Sequence, residues 1–205
     1  SFAFNDGQQC RLAMNTSPVM AVSTPEDFFQ QLVALSPDAK TGKRDPQKIK
    51  DFFAAHPESK DFNAWRASYT PTNSFADEQY HSINAFYLVD GQGNQQAVRW
   101  AAVPNASPTL ELESNTADAL RMDLLNKLKN GPVSFDMVFS FADASDDESN
   151  PAIAWPNERK TLTAGTINIT SSEAQTNGAC DGIRFDPLIL PQGIEPTNDP
   201  ILRAR

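Results

Sequence analysis

Two runs of strand-forming residues, Asn84–Asp90 and Gln95–Val103, are separated only by Gly91-Gln92-Gly93-Asn94. Glycines supply the positive φ angles that a tight reversal needs, so the two runs are predicted to form a β-hairpin. A hairpin forces antiparallel pairing, whereas a parallel pair needs a long crossover. The chain is thereby committed to a sheet with local antiparallel neighbours. Val133–Phe141 and Lys160–Ile169 read as two further strands, separated by the acidic loop Asp143–Glu148 and a turn at Asn150-Pro151. A turn at Asn5-Asp6-Gly7 predicts another hairpin at the start of the sequence.

Helix signals lie between these strands. Thr24-Pro25-Glu26-Asp27 combines a hydroxyl cap, proline at the first helical position and acids against the positive end of the helix dipole. Phe28, Phe29, Leu32 and Leu35 are expected to form its apolar face. A second helix is expected from Asp45-Pro46, burying Ile49, Phe52 and Phe53 and ending near His56-Pro57, because a residue before proline avoids the helical region. A short helical turn fits Asn63–Ser68, and Thr116–Lys129 reads as an amphipathic helix through Leu120, Leu124, Leu125 and Leu128, stopped by Asn130-Gly131. The stretch after Thr170, rich in Gly, Pro and Asn, has little periodicity. Strands interrupted irregularly by helices, with hairpins between neighbours, predict an α+β fold with an antiparallel sheet or barrel. No internal repeat or clear linker interrupts residues 1–205, so one domain is expected.

Seventeen basic against 26 acidic residues give a net charge of -9, which disfavours phosphate backbones and anionic lipid as partners. No run of about 18 apolar residues marks a membrane span, and no signal-peptide pattern opens the sequence. Cys10 and Cys180 allow one disulfide or two free thiols, and neither has zinc spacing.

General site patterns are sparse. The two histidines, His56 and His81, lack hydrolytic-metal spacing, and no metal ligands are assigned. There is no Gly-x-Ser-x-Gly elbow. Lys40-Thr41-Gly42-Lys43 lacks the Walker glycine pattern and reads as a solvated loop. Asp143, Asp146, Asp147 and Glu148 lack the EF-hand glycine and distal glutamate, and also read as a solvated loop. His81 is open to a general-base reading or to an ordinary hydrogen-bonded role.

Longer motifs narrow the choice. The closing run Phe185-Asp186-Pro187 through Gly193-Ile194-Glu195-Pro196 to Asp199-Pro200-Ile201-Leu202-Arg203-Ala204-Arg205 resembles the approach to the haem ligand of haem catalases. Asn15-Thr16-Ser17-Pro18-Val19-Met20, followed by Thr24-Pro25-Glu26-Asp27-Phe28, is similar to the catalase strand carrying the distal asparagine. Ile83–Val89, Val98-Arg99-Trp100, Trp155-Pro156 and Ala164–Ile169 resemble barrel strands and their approaches. Ala54–Glu58 and Ala97–Trp100 look most like the small catalase-related peroxidases.

This resemblance implies a catalase-like antiparallel β-barrel core, incomplete, with inserted helices, and haem b as cofactor. It implies that the Asn15 amide orients peroxide as the catalytic residue here, and that Met20, Phe28, Phe185 and Ile201 face haem. Arg205 matches the arginine that hydrogen-bonds the family's iron-binding tyrosinate. The tyrosine itself and the distal histidine are expected outside Ser1–Arg205, as in a chain truncated at both ends. Met20 departs from the family's usual aromatic residue, and Asn84 stands where large catalases carry histidine. The implied substrates are hydrogen peroxide or an organic peroxide and a reductant, and the implied location is a periplasm. An unclosed barrel would expose a strand edge and apolar interior, so self-association or pairing with another chain is expected. The alternative is a haem-free remnant of the fold acting as a structural or interaction protein.

Overall fold

The computed structural model describes residues 2–106, 116–174 and 176–204. Chain order is β1 (Phe2–Ala3), β2 (Gln9–Cys10), α1 (Pro25–Leu35), α2 (Pro46–Ala55), α3 (Lys60–Ser68), β3 (Tyr80–His81), β4 (Phe86–Val89), β5 (Gln95–Pro104), α4 (Ala119–Asn130), β6 (Val133–Phe141), β7 (Thr161–Ile169), β8 (Ile194–Pro196) and α5 (Pro200–Arg203). The β1–β2 hairpin stands apart from an antiparallel sheet ordered β7-β6-β5-β4-β8, with β3 also pairing β5. The α+β expectation holds. Among the described residues the sheet remains open, with β7 and β8 at its edges.

The β4–β5 reversal forms as expected, although only Gly93 takes the positive φ, at 87°. Asp90 completes that turn by accepting from the backbone N–H groups of Gln92 and Asn94 through Oδ1, at 2.9 and 2.8 Å.

β5 sets the core because side chains alternate between faces along a strand. Val98, Trp100 and Ala102 enter one apolar face, opposed by Phe141, Phe139 and Met137 of β6. Trp100 is only 5% exposed and stacks on Phe86, with ring centroids 4.4 Å apart. Leu202 from α5 closes the cluster of Phe86, Val98 and Trp100. A second cluster of Ala76, Ala102, Val133 and Phe135 is covered by Leu124 and Leu128 of α4.

The helix starts follow their caps. Thr24 Oγ1 accepts from Asp27 N at 3.1 Å, and Asp45 Oδ1 accepts from Gln47 N at 2.9 Å. The buried face of α1 corrects the sequence expectation: Phe28, Gln31 and Leu35 turn inward, while Phe29 is 67% and Leu32 49% exposed. The 100° step of the helix puts positions 28, 31 and 35 on one side and 29, 32 and 33 on the other. The short helical turn expected over Asn63–Ser68 lies within α3, which starts three residues earlier at Lys60.

The periodicity-poor tail is nevertheless anchored. Arg11 N donates to Ile189 O at 3.0 Å, and Arg11 Nη1 donates to Arg184 O at 2.6 Å. The tail then supplies β8, which pairs with β4 through Phe86–Pro196, Tyr87–Glu195 and Leu88–Ile194. Cys10, buried, and Cys180, exposed, are both free thiols. No helix among the described residues is long and apolar enough to cross a membrane.

Truncating Trp100 to alanine is expected to lower unfolding stability by about 3–5 kcal/mol in urea denaturation, because large core truncations lose transfer energy and leave a cavity. Leu162→Ala, at a position 55% exposed on β7, should change it by less than about 0.5 kcal/mol.

Candidate functional site

A buried polar network lies where β8 and α5 meet the link between β3 and β4. Asp199 is fully buried and caps α5, its Oδ1 accepting from Ile201 N at 2.8 Å and Leu202 N at 3.1 Å. Its Oδ2 accepts from the buried Asn84 Nδ2 at 2.6 Å. Pro200 at the first helical position contributes a preset φ and lacks the N–H that would need a partner.

Asn84 reaches Asp199 through an unusual backbone. Ile83 adopts φ 63°, in the left-handed region that β-branched residues rarely enter. Ser82 holds that kink, donating from Oγ to Asn84 O at 2.9 Å and accepting from Trp100 N at 3.1 Å. Thr197 Oγ1 donates to Ala85 O at 3.0 Å, and Arg203 Nε donates to Thr197 O at 2.8 Å. The assembly fixes a strand, a turn and the start of a helix with its donors and acceptors paired.

Two of the cavities that touch β5 among the described residues contrast in character. On the Arg99 side, a space of about 360 Å³ is lined in part by His81, Ile83, Arg99, Trp155 and Arg159. Arg99 donates from Nη1 to Ile153 O at 2.8 Å and from Nη2 to Asn150 O at 3.1 Å, with its guanidinium carbon 4.6 Å from the centroid of Trp155. Burial pushes its pKa down to about 10, against the pull of Asp199, Asp146 and Asp147. On the Trp100 side, a space of about 380 Å³ is walled by Phe2, Phe4, Leu12, Met137, Phe139 and Ile167 among others, and is strongly apolar.

The acidic loop is more structured than expected. Asp146 receives Arg159 Nε and Nη2 at 2.7 and 2.8 Å, and Glu148 accepts from Tyr87 Oη at 2.7 Å. These carboxylates are internal acceptors joining loop to sheet. The 40–43 loop is exposed, as expected, and is organised by Asp38.

The Catalase family model matches residues 3–205. The chain belongs to the catalase family. It is 36% identical over 208 residues to a catalase-related peroxidase of Synechococcus elongatus, covering all of this chain and 61% of that protein. A catalase-related peroxidase of Mycolicibacterium paratuberculosis is 29% identical over 215 residues, with coverage of 100% and 65%. The chain thus spans under two-thirds of these relatives. Among solved structures, a fungal catalase superposes with a TM-score of 0.81 at 14% identity, covering 94% of this chain and 42% of that one. A bacterial catalase gives 0.77 at 19% identity, covering 94% and 40%. The catalase fold is therefore shared.

Within this catalase-family chain the sequence-predicted site residues occupy separate elements. Asn15 is exposed and lies in an isolated bridge, Asn15 N donating to His81 O at 3.0 Å and His81 N donating to Asn15 O at 2.6 Å. Met20 is half-buried and donates from its backbone N to Pro151 O at 2.8 Å. Phe28 is half-buried on α1, Phe185 is exposed in the tail, and Ile201 is buried on α5. None of the five lines either cavity beside β5. Arg205 lies outside the described residues.

The resemblance to haem catalases implies a tyrosinate ligand for haem, and the three tyrosines of the chain do not fit that role. Tyr69 donates to Glu78 at 2.7 Å, Tyr80 to Phe75 O at 2.9 Å and Tyr87 to Glu148. Burial raises the pKa of Tyr69, with Glu78 adding to it, and burial pushes Tyr80 up to about 12. The hydrogen bond to Glu148, with burial, pushes Tyr87 up to about 12. Each phenol is held protonated. The described residues offer apolar wall material but no phenolate.

Sequence reasoning missed Asp199 as an anchor, although Asp199-Pro200 repeats the cap-plus-proline signal used at Asp45-Pro46. It also missed Asn84 as that anchor's partner, because only the folded chain brings the two together. Asp199→Ala should lower stability by roughly 2–4 kcal/mol in chemical denaturation, combining a lost cap with an unpaired buried amide at Asn84.

Tyrosine protonation predicts alkaline behaviour. A raised folded-state pKa contributes stability that is present below the ordinary value near 10 and is lost as pH climbs toward about 12. Burial of Arg99 acts in the opposite sense over part of that range. Tyr80→Phe and Tyr87→Phe should each flatten the alkaline loss of stability relative to wild type, measured as denaturation midpoints from pH 9 to 12.

Proposed function

We propose that the protein to which these 205 residues belong is a haem-dependent, catalase-related peroxidase reducing hydrogen peroxide or organic peroxides at the expense of a reductant. The observation that carries this reading is the match of the whole chain to two catalase-related peroxidases, of which it spans 61% and 65%. In this reading haem supplies the redox chemistry. The Asn15 amide orients peroxide from a backbone pinned in both directions to His81. Met20, Phe28, Phe185 and Ile201 contribute apolar walls that limit water, and Arg205 takes the part of the arginine that hydrogen-bonds the family's tyrosinate. In this reading the 205-residue chain alone is inactive toward peroxide, its three phenols being engaged with Glu78, Phe75 and Glu148.

A second reading, a haem-free remnant acting through interactions, draws on the open sheet and on exposed apolar residues such as Phe29, Leu32 and Val33. Absorbance during haemin titration separates the two. A polypeptide extended to the length of its relatives should develop a stoichiometric Soret band and oxidise an organic reductant when peroxide is added. The 205-residue chain should show no turnover. Asn15→Ala in the extended protein should lower peroxide turnover on the order of 10², the scale of losing one oriented polar group, while leaving the Soret band in place. An extended protein without a band in excess haemin would overturn the peroxidase reading in favour of the haem-free one.

A further inference from the structure

Away from β5, the first turn of α1 and the connection from α2 to α3 bring three metal-ligand side chains together. Asp27, His56 and Glu58 are half-buried, and their ligand atoms all lie within 4.8 Å of one another. Thr24 Oγ1 donates to Asp27 Oδ2 at 2.7 Å, which orients that carboxylate as an outer hydroxyl orients a metal ligand. The His56 ring packs against Phe52, centroids 4.3 Å apart, and its Nδ1 is 2.8 Å from Glu58 Oε1. Glu58 lies in the 3-10 turn Pro57–Ser59, where buried Ser59 donates to Ala21 O just ahead of α1. Packing and hydrogen bonds thus restrain all three positions.

Charge balance makes the arrangement informative. Two carboxylates beside one imidazole carry a net charge of -1 even when the ring is protonated, and half-burial makes that excess costly. A divalent cation with a neutral imidazole brings the sum to zero. One nitrogen and two oxygens suit zinc and its first-row neighbours, whereas calcium and magnesium take oxygen alone. We propose that Asp27, His56 and Glu58 form a binding site for a divalent transition-metal ion of the zinc class, tying the start of α1 to the α2–α3 connection. Metal–ligand distances of about 2.0–2.2 Å require the side chains to draw inward from their present spacing, and three protein ligands leave a fourth position for water.

Zinc chloride titrated into the purified protein by calorimetry, and cobalt chloride followed by visible absorption, test the site. Cys180→Ser is used as the background, removing the exposed free thiol. One saturable equivalent is expected, with the visible bands of nitrogen- and oxygen-bound cobalt. His56→Phe keeps a ring against Phe52 but removes the nitrogens, while Asp27→Asn and Glu58→Gln keep side-chain shape. Each should weaken binding by at least about tenfold with helical circular dichroism retained. If His56→Phe does not fold, the two amide variants carry the comparison. Absence of saturable binding below roughly 1 mM, or equal affinity in folded variants and background, would overturn the proposal.

Discussion

The left-handed turn at Ile83 is the constraint on which the junction depends. β3 and β4 both pair with β5, so the four residues between them must leave the sheet and rejoin it. Positive φ at a β-branched residue costs on the order of 1–3 kcal/mol and persists only where its surroundings over-determine it. Here Ser82 Oγ bonds Asn84 across the kink and Trp100 on β5, and Ile83 itself is buried. Asn84 is thereby brought to Asp199, and Asp199 in turn starts α5 at a fixed place. The helix then sends Leu202 into the Phe86, Val98 and Trp100 cluster. A strained residue in mid-chain and the final helix are therefore parts of one structure.

Much of the frame was legible because its signals are local. Alternation and turn glycines located β4 and β5, and caps with proline located α1 and α2. What escaped depended on distance. β8 has three residues and becomes a strand only because β4 offers an open edge. Asn84 and Asp199 are 115 positions apart, and no pattern in one predicts the other. The facing of α1 failed for a different reason: apolar residues surround most of that helix, so hydrophobicity alone could not choose between the face of Phe28 and that of Phe29. Family resemblance carried the fold correctly, while Asn15, Met20, Phe28, Phe185 and Ile201 lie on separate elements.

β5 also divides two environments by simple alternation. Val98, Trp100 and Ala102 face an apolar trough, whereas Arg99 faces carbonyl oxygens, an indole ring and nearby acids. A guanidinium on that side is tolerated because fixed dipoles and π density replace part of its hydration. The same charge one position along would enter the trough without partners. A one-residue slip in register would therefore exchange both environments at once, which makes the pairing of β5 with β4 and β6 strongly specified.

The tyrosines carry the last step. Each phenol donates to an oxygen, and two of the acceptors are the carboxylates of Glu78 and Glu148. Ionising Tyr69 or Tyr87 would place a second negative charge beside a carboxylate, and Tyr80 would ionise in partial burial near Glu78. Tyrosinate chemistry is thus disfavoured at these positions by electrostatics, whatever space surrounds them. The described residues are suited to positioning: a buried aspartate that starts a helix, a kink that delivers its partner, and an asparagine whose backbone is fixed to a neighbouring strand. On this frame these residues set geometry, fixing where strand, turn and helix meet.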